Sequence, residues 1–211
     1  MKRTTGGILA VILAAVAVLT GVAAAPARAG GCPSVAYFAI GGNGDPKSVG
    51  VPHVPAGWRM NIEYPADVFQ GDRSRQIAGD KLDAEAKKLR LACRDTRIGV
   101  YGYSLGASAG SIVVDRWQTD TLMNRDTFAV FYGNPRHPIG DDGWGGIEVA
   151  GLPHIPFIYR WHGARLSGPI PVEEHCNWRR DVICSAPLPL HSNLIGAWKA
   201  LEGYLTGDHL Y

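Results

Sequence analysis

The chain has no block of like charges, no internal repeat and no low-complexity tract. These absences leave no basic arm for nucleic acid and no polybasic patch for a membrane surface. It also has no Cys-x-x-Cys and no paired-histidine spacing, which removes the usual grounds for a metal site. A glycine-rich stretch, Gly41-Gly42-Asn43-Gly44, is not followed by Gly-Lys-Ser/Thr, so it is not a phosphate loop. No metal or organic cofactor is implied.

Charge is scarce as well. The formal net charge is +2, but Lys2, Arg3 and Arg28 belong to a segment that reads as a secretory signal. Lys2 and Arg3 precede an apolar run, Ile8 to Ala25, and Ala27-Arg28-Ala29 is a small-x-small cleavage site. A transmembrane anchor is the rival reading, but the run is marginal in length and built of small Ala and Val. With residues 1–29 removed, 18 basic side chains face 19 acidic ones and residues 30–211 form one domain. The mature chain is then close to neutral, an exported monomer with no stable membrane span and no nucleic-acid partner. An exported chain with four cysteines favours two disulfides. Cys32–Cys93 would tie the chain start to a helix end, and Cys176–Cys184 would close a tight loop around Asp181.

Apolar runs at Ser34–Ile40, Trp58–Tyr64, Arg97–Tyr101, Thr127–Tyr132 and Ile155–Arg160 read as strands. Between them, Asp72–Arg94 reads as an amphipathic helix with Ile77, Leu82, Leu89 and Ala92 inward and Lys81, Lys87, Lys88 and Arg90 solvated. Further helices are expected from Leu105 to about Trp117 and from Asn193 to Leu205, the last with Leu194, Ile195, Trp198, Leu201 and Leu205 at helical spacing. Strands that are continuously apolar and alternate with helices predict an α/β fold with a parallel sheet covered on both faces. The Gly-rich segment Asp141–Pro153 reads as a surface loop, a candidate lid.

Gly102-Tyr103-Ser104-Leu105-Gly106 stands between a strand and a helix, the setting a Gly-x-Ser-x-Gly elbow requires. Gly102 and Gly106 leave space where helix jams against strand, and Ser104 projects above the sheet. The Leu105 amide, with an amide from Gly42 or Asn43, could receive an oxyanion. A serine hydroxyl is a weak nucleophile, so a histidine must take its proton and a carboxylate must orient that histidine. In this setting the chain order is Ser, acid, His. Of the later acids, Asp141, Asp142, Glu173, Glu174 and Asp181, the last is pinned between two cysteines. Two histidines follow it: His191 before the last helix and His209 after it. His53, His137, His154 and His162 precede the acid.

Several segments together resemble the cutinase-like serine esterases of the α/β-hydrolase fold, in particular the PE-PPE branch and the phage lysin B enzymes. They are Gly102-Tyr103-Ser104-Leu105-Gly106-Ala107, Tyr132-Gly133-Asn134-Pro135-Arg136 with its glycine-rich sequel, Asp181-Val182-Ile183-Cys184, and Asn193-Leu194 through Gly203 to His209 and Tyr211. The cutinase pattern proper matches His191, whereas the PE-PPE and lysin B pattern, a helix and then Gly-x-His with a nearby Tyr, matches His209. The tail similarity favours His209. The PE and PPE modules and the extra domains of the phage enzymes are missing from the sequence. The resemblance implies a secreted serine hydrolase of lipid or cell-envelope acyl esters, with Ser104, Asp181 and His209 as its triad. Acyl transfer through the same acyl-enzyme, or a non-catalytic lipid-binding shell, are the alternatives.

Overall fold

The computed structural model describes residues 31–211, so the expected signal at residues 1–29 lies outside the described residues. From Cys32 onward the chain runs β1 (Val35–Ile40), β2 (Trp58–Asn61), α1 (Gly71–Ala92), β3 (Arg97–Tyr103), α2 (Leu105–Trp117), β4 (Thr127–Tyr132), β5 (Trp144–Gly145), β6 (Val172–His175), β7 (Ala186–Pro187) and α3 (Leu194–Gly203). Five strands form a wholly parallel sheet in the order β2-β1-β3-β4-β6, and β5 pairs antiparallel with β7. The register sets Ile40 beside Gly102 and Tyr103 beside Tyr132. The loops leaving β1, β3 and β4 therefore emerge level at one edge, where ligands bind in open parallel sheets.

The two faces of the sheet are covered differently. On one, Phe38, Ile40, Ile98, Val100 and Phe131 pack against Leu82 of α1 and Val113, Val114 and Trp117 of α2. The other carries Ala39, Tyr101, Val130 and Tyr132, covered by the loop residues Val51 and Val54 and by Tyr211. Tyr37, Tyr101 and Phe128 meet edge to face there, with ring centroids 5.7 and 6.2 Å apart. Among the described residues no helix is long and apolar enough to cross a membrane.

Both disulfides form as paired from the sequence, Cys32–Cys93 and Cys176–Cys184. By the entropy of the loops they close, they are worth about 4 and about 2–3 kcal/mol.

Two expectations are corrected. Ile155–Arg160 is not a strand but a turn with one bridge, Ile155 to Tyr159, because Pro156 lacks an N–H and Phe157 takes φ 63°. The fifth strand is instead β6, Val-Glu-Glu-His, an edge strand whose Glu174 is buried against Arg165 and Asn134. Arg90 is not solvated. It is buried and donates to the carbonyls of Arg94, Thr96, Arg125 and Asp126, stitching the end of α1 to the start of β4.

Candidate active site

The turn from β3 into α2 has the tight geometry its glycines suggest. A methyl group on Gly106 would collide with the carbonyl oxygens of Ile40 and Gly41, and one on Gly102 would come within 2.7 Å of the Ala107 Cα. The helix start is thus pressed onto the end of β1. Between the two glycines Ser104 takes φ 53° and ψ −118°. Such a conformation costs a non-glycine residue about 1–3 kcal/mol and persists only where its surroundings impose it. Here the Ser104 amide is tied to the Tyr132 carbonyl at 2.9 Å. Ser104 is the N-cap of α2, yet its hydroxyl makes no cap bond and is left for other chemistry. The Leu105 amide follows in the first helical turn, whose N–H groups have no intrahelical partner.

Asp181 is fully buried. Its Oδ1 accepts from the Ile183 amide at 3.0 Å. Its Oδ2 accepts from two side chains at 2.7 Å each, the Nδ1 of His209 and the hydroxyl of Tyr211. With Nδ1 as donor, the other ring nitrogen, Nε2, carries the lone pair. That Nε2 is buried and has no hydrogen-bond partner among the described residues. The ring lies between Tyr103 and Tyr204, with centroids 5.1 Å from each. The Tyr103 hydroxyl donates to the His209 carbonyl at 2.8 Å. Burial, and after it the charge of Asp181, pushes the Tyr103 phenol up to about 12. The same two causes raise Tyr211 further, so both phenols stay protonated as donors at neutral pH.

The segment after α3 is laced to the Asp181 loop. Asn177 Nδ2 donates to the Asp208 carbonyl at 2.5 Å, and Arg180 pairs with the Asp208 carboxylate at 2.7 Å. The Cys176–Cys184 bridge holds both residues in the loop that also carries Asp181.

Two clefts meet at Ser104. One, of about 270 Å³, is apolar, with Val68, Ile147, Ile155, Ile158, Trp161 and Ile183 in its walls. The other, of about 420 Å³, joins Ser104 to His209, Tyr103, Tyr204 and Leu210. Asn43 lines both. Its Oδ1 accepts from the Val68 amide at 2.8 Å, which anchors the glycine-rich loop beside the serine. Gly42 is close too, since a methyl group there would lie 3.3 Å from the Ser104 Cβ.

Ser104, Leu105, Asn43 and His209 therefore gather at one place, with Gly42 against Ser104 and Asp181 behind His209. His191 does not join them. It is exposed on a short 3-10 turn, Leu190–Asn193, and bonds neither to Asp181 nor into either cleft. One residue of the site escapes a reading of the sequence. Gly133 takes φ 55°, and a methyl group there would sit 2.5 Å from Cε1 of the His209 ring. A positive-φ glycine against a ring 76 residues away has no local signature. Tyr211 is the tyrosine that the sequence sets near His209, and its bond to Asp181 appears only in the fold. Among the described residues no cluster of His, Cys, Asp or Glu could hold a metal ion.

The Cutinase family model matches residues 51–193, well over half of the chain. Among solved structures the fold is similar to a cutinase-like protein from Cryptococcus sp. at 19% identity and TM-score 0.56, covering 85% of this chain and 96% of that one. It is also similar to lysin B from Mycobacteriophage D29 at 20% identity and TM-score 0.52, covering 79% and 74%. An acetylxylan esterase aligns at 17% identity and TM-score 0.51, covering 85% and 97%. No curated protein matches the sequence. With its parallel sheet, its two disulfides and this match, the chain belongs to the Cutinase family, whose members are ester hydrolases.

Proposed function

We propose that this chain is a secreted serine esterase that cleaves lipid or cell-envelope acyl esters through an acyl-enzyme. One observation carries the reading. His209 holds Asp181 at 2.7 Å through Nδ1, while its Nε2 has no partner among the described residues and its ring lines the cleft that contains Ser104. A base in that state can take the serine proton.

In this mechanism Ser104 Oγ attacks the ester carbonyl as His209 Nε2 removes its proton. Asp181 steadies the imidazolium, assisted by the Tyr211 hydroxyl on the same oxygen. The amide of Leu105, with that of Gly42 or Asn43, receives the oxyanion, each good donor lowering the barrier by roughly 3 kcal/mol. His209 then returns the proton to the leaving alcohol, and water repeats the sequence on the acyl-enzyme. The apolar cleft beside Ser104 suits an acyl chain better than a sugar. The tail geometry around His209 and Tyr211 favours the PE-PPE and lysin B branch. Two disulfides agree with an exported protein whose signal is residues 1–29.

A fluorophosphonate probe and a short-chain nitrophenyl ester test the reading. The parent chain is expected to be labelled and active. Ser104→Ala should take no label and lose activity by about 10⁴-fold or more. An unlabelled, inactive parent would leave only a lipid-holding shell. Products formed with a hydroxylated acceptor present separate hydrolysis from acyl transfer.

A further inference from the structure

The wall of the apolar cleft is a strap, Pro153–His162, with almost no regular secondary structure. It contributes Ile155, Ile158, Tyr159 and Trp161 to the lining. Its only internal ladder is the bridge between Ile155 and Tyr159. Its orientation therefore depends on what it is tied to. On the α1 side, Asp72 accepts from the Arg160 amide at 2.8 Å and donates its own amide to the Ile158 carbonyl at 3.0 Å, and Arg75 donates to the Arg160 carbonyl at 2.7 Å. A further tie is Glu148, whose side chain is wholly buried.

Glu148 Oε1 accepts from Ser108 at 2.6 Å, Tyr159 at 2.9 Å and Arg75 at 3.0 Å, and Oε2 accepts from the His162 amide at 2.8 Å. The donors come from α1, from α2 one turn beyond Ser104, and from Tyr159 and His162 in the second half of the strap. Its neighbour in sequence, Ile147, is itself in the cleft wall. A buried ion pair is a poor way to gain stability, since apolar side chains of equal volume often do as well. What four directed donors supply, and apolar packing does not, is a fixed direction.

We propose that Glu148 is the positioning residue of the acyl cleft: it holds the strap at a set distance from the helix that begins at Ser104, and so determines which acyl lengths are accepted. The inference rests on the esterase reading given above. Loosening this joint should disfavour the acyl chains that touch the strap and spare those too short to reach it.

The test is the ratio of kcat/KM for nitrophenyl octanoate to that for nitrophenyl acetate. The ratio is independent of the fraction of enzyme that is folded, so a merely structural role leaves it unmoved. Glu148→Gln, equal in volume but uncharged, should lower it about tenfold, chiefly through KM for the octanoate. Tyr159→Phe, which removes one hydroxyl and keeps the ring, should lower it about threefold. An unchanged ratio in Tyr159→Phe, together with an unchanged ratio or a failure to fold in Glu148→Gln, overturns the proposal. A parent that takes no fluorophosphonate and cleaves neither ester overturns the esterase reading, and this inference with it.

Discussion

Helices α2 and α3 carry apolar residues at similar spacing but stand in opposite surroundings. In α2, Val113, Val114 and Trp117 are at most 1% exposed, and each buried side chain of this size contributes about 1.5–3 kcal/mol. In α3 only Ala200 and Gly203 are buried, while Leu194, Ile195 and Trp198 are 67–74% exposed. Ser104, the proposed nucleophile, is thus mounted on a helix clamped by the core. The histidine follows a helix that the core barely touches. Burial of α3 cannot fix His209, so the contacts around it do: the bonds from Asn177 and Arg180 to Asp208, those from His209 and Tyr211 to Asp181, and the ring stacking of Tyr103. The proposed base is held by directed bonds and the proposed nucleophile by packing.

The comparison is easiest to break at the histidine. His209→Ala should reduce ester turnover by about 10³–10⁴-fold, whereas His191→Ala should stay within about twofold, both read as kcat/KM. The reverse result would move the base to the other end of α3. A subtler change is Gly133→Ala, which places a methyl group 2.5 Å from Cε1 and 2.9 Å from Nδ1 of the His209 ring and 3.2 Å from the Tyr211 ring. Turnover should fall by about 10²-fold from displacement of the ring and its bond to Asp181, while Ser104 still takes the fluorophosphonate.

Stability sharpens the contrast between the helices. Val113→Ala in α2 should cost about 1–3 kcal/mol by denaturant unfolding, and Leu194→Ala in α3 less than about 0.5 kcal/mol. Equal costs would mean that α3 is packed after all.

The smallest effect concerns Asp72, which anchors the cleft strap at the start of α1. Partial burial raises its carboxyl, but the Arg160 amide and the Arg75 guanidinium outweigh that and hold it below the usual aspartate range. A lowered folded value stabilises above the unfolded pKa and is lost as pH falls through the folded one. The melting temperature of the parent should therefore exceed that of Asp72→Asn at neutral pH, with the gap closing in acid.

What could be read from the residues follows the same division. The elbow is legible because Gly102, Ser104 and Gly106 meet a local steric need within five positions. The disulfide around Asp181 is legible because an exported chain with an even cysteine count and a short spacing has few options. The outward stripe of α3 is not legible, since periodicity says that a helix has an apolar side but not whether anything covers it. Strand β6 escapes notice because Glu173 and Glu174 break the apolar pattern, and it takes Arg165 and the distant Asn134 to make Glu174 tolerable inside. The choice between His191 and His209 turns on bonds that close across 28 to 31 residues, from Asp181 to His209 and from Asn177 to Asp208, and spacing does not encode these.

While Cys176 and Cys184 are still thiols, no bond closes the ring that carries Asn177, Arg180 and Asp181, and the loop is free to change shape. If the chain is exported as proposed, it would leave a reducing compartment with a finished elbow but a slack loop behind His209. Closing that small ring would then be the step that completes the proposed triad.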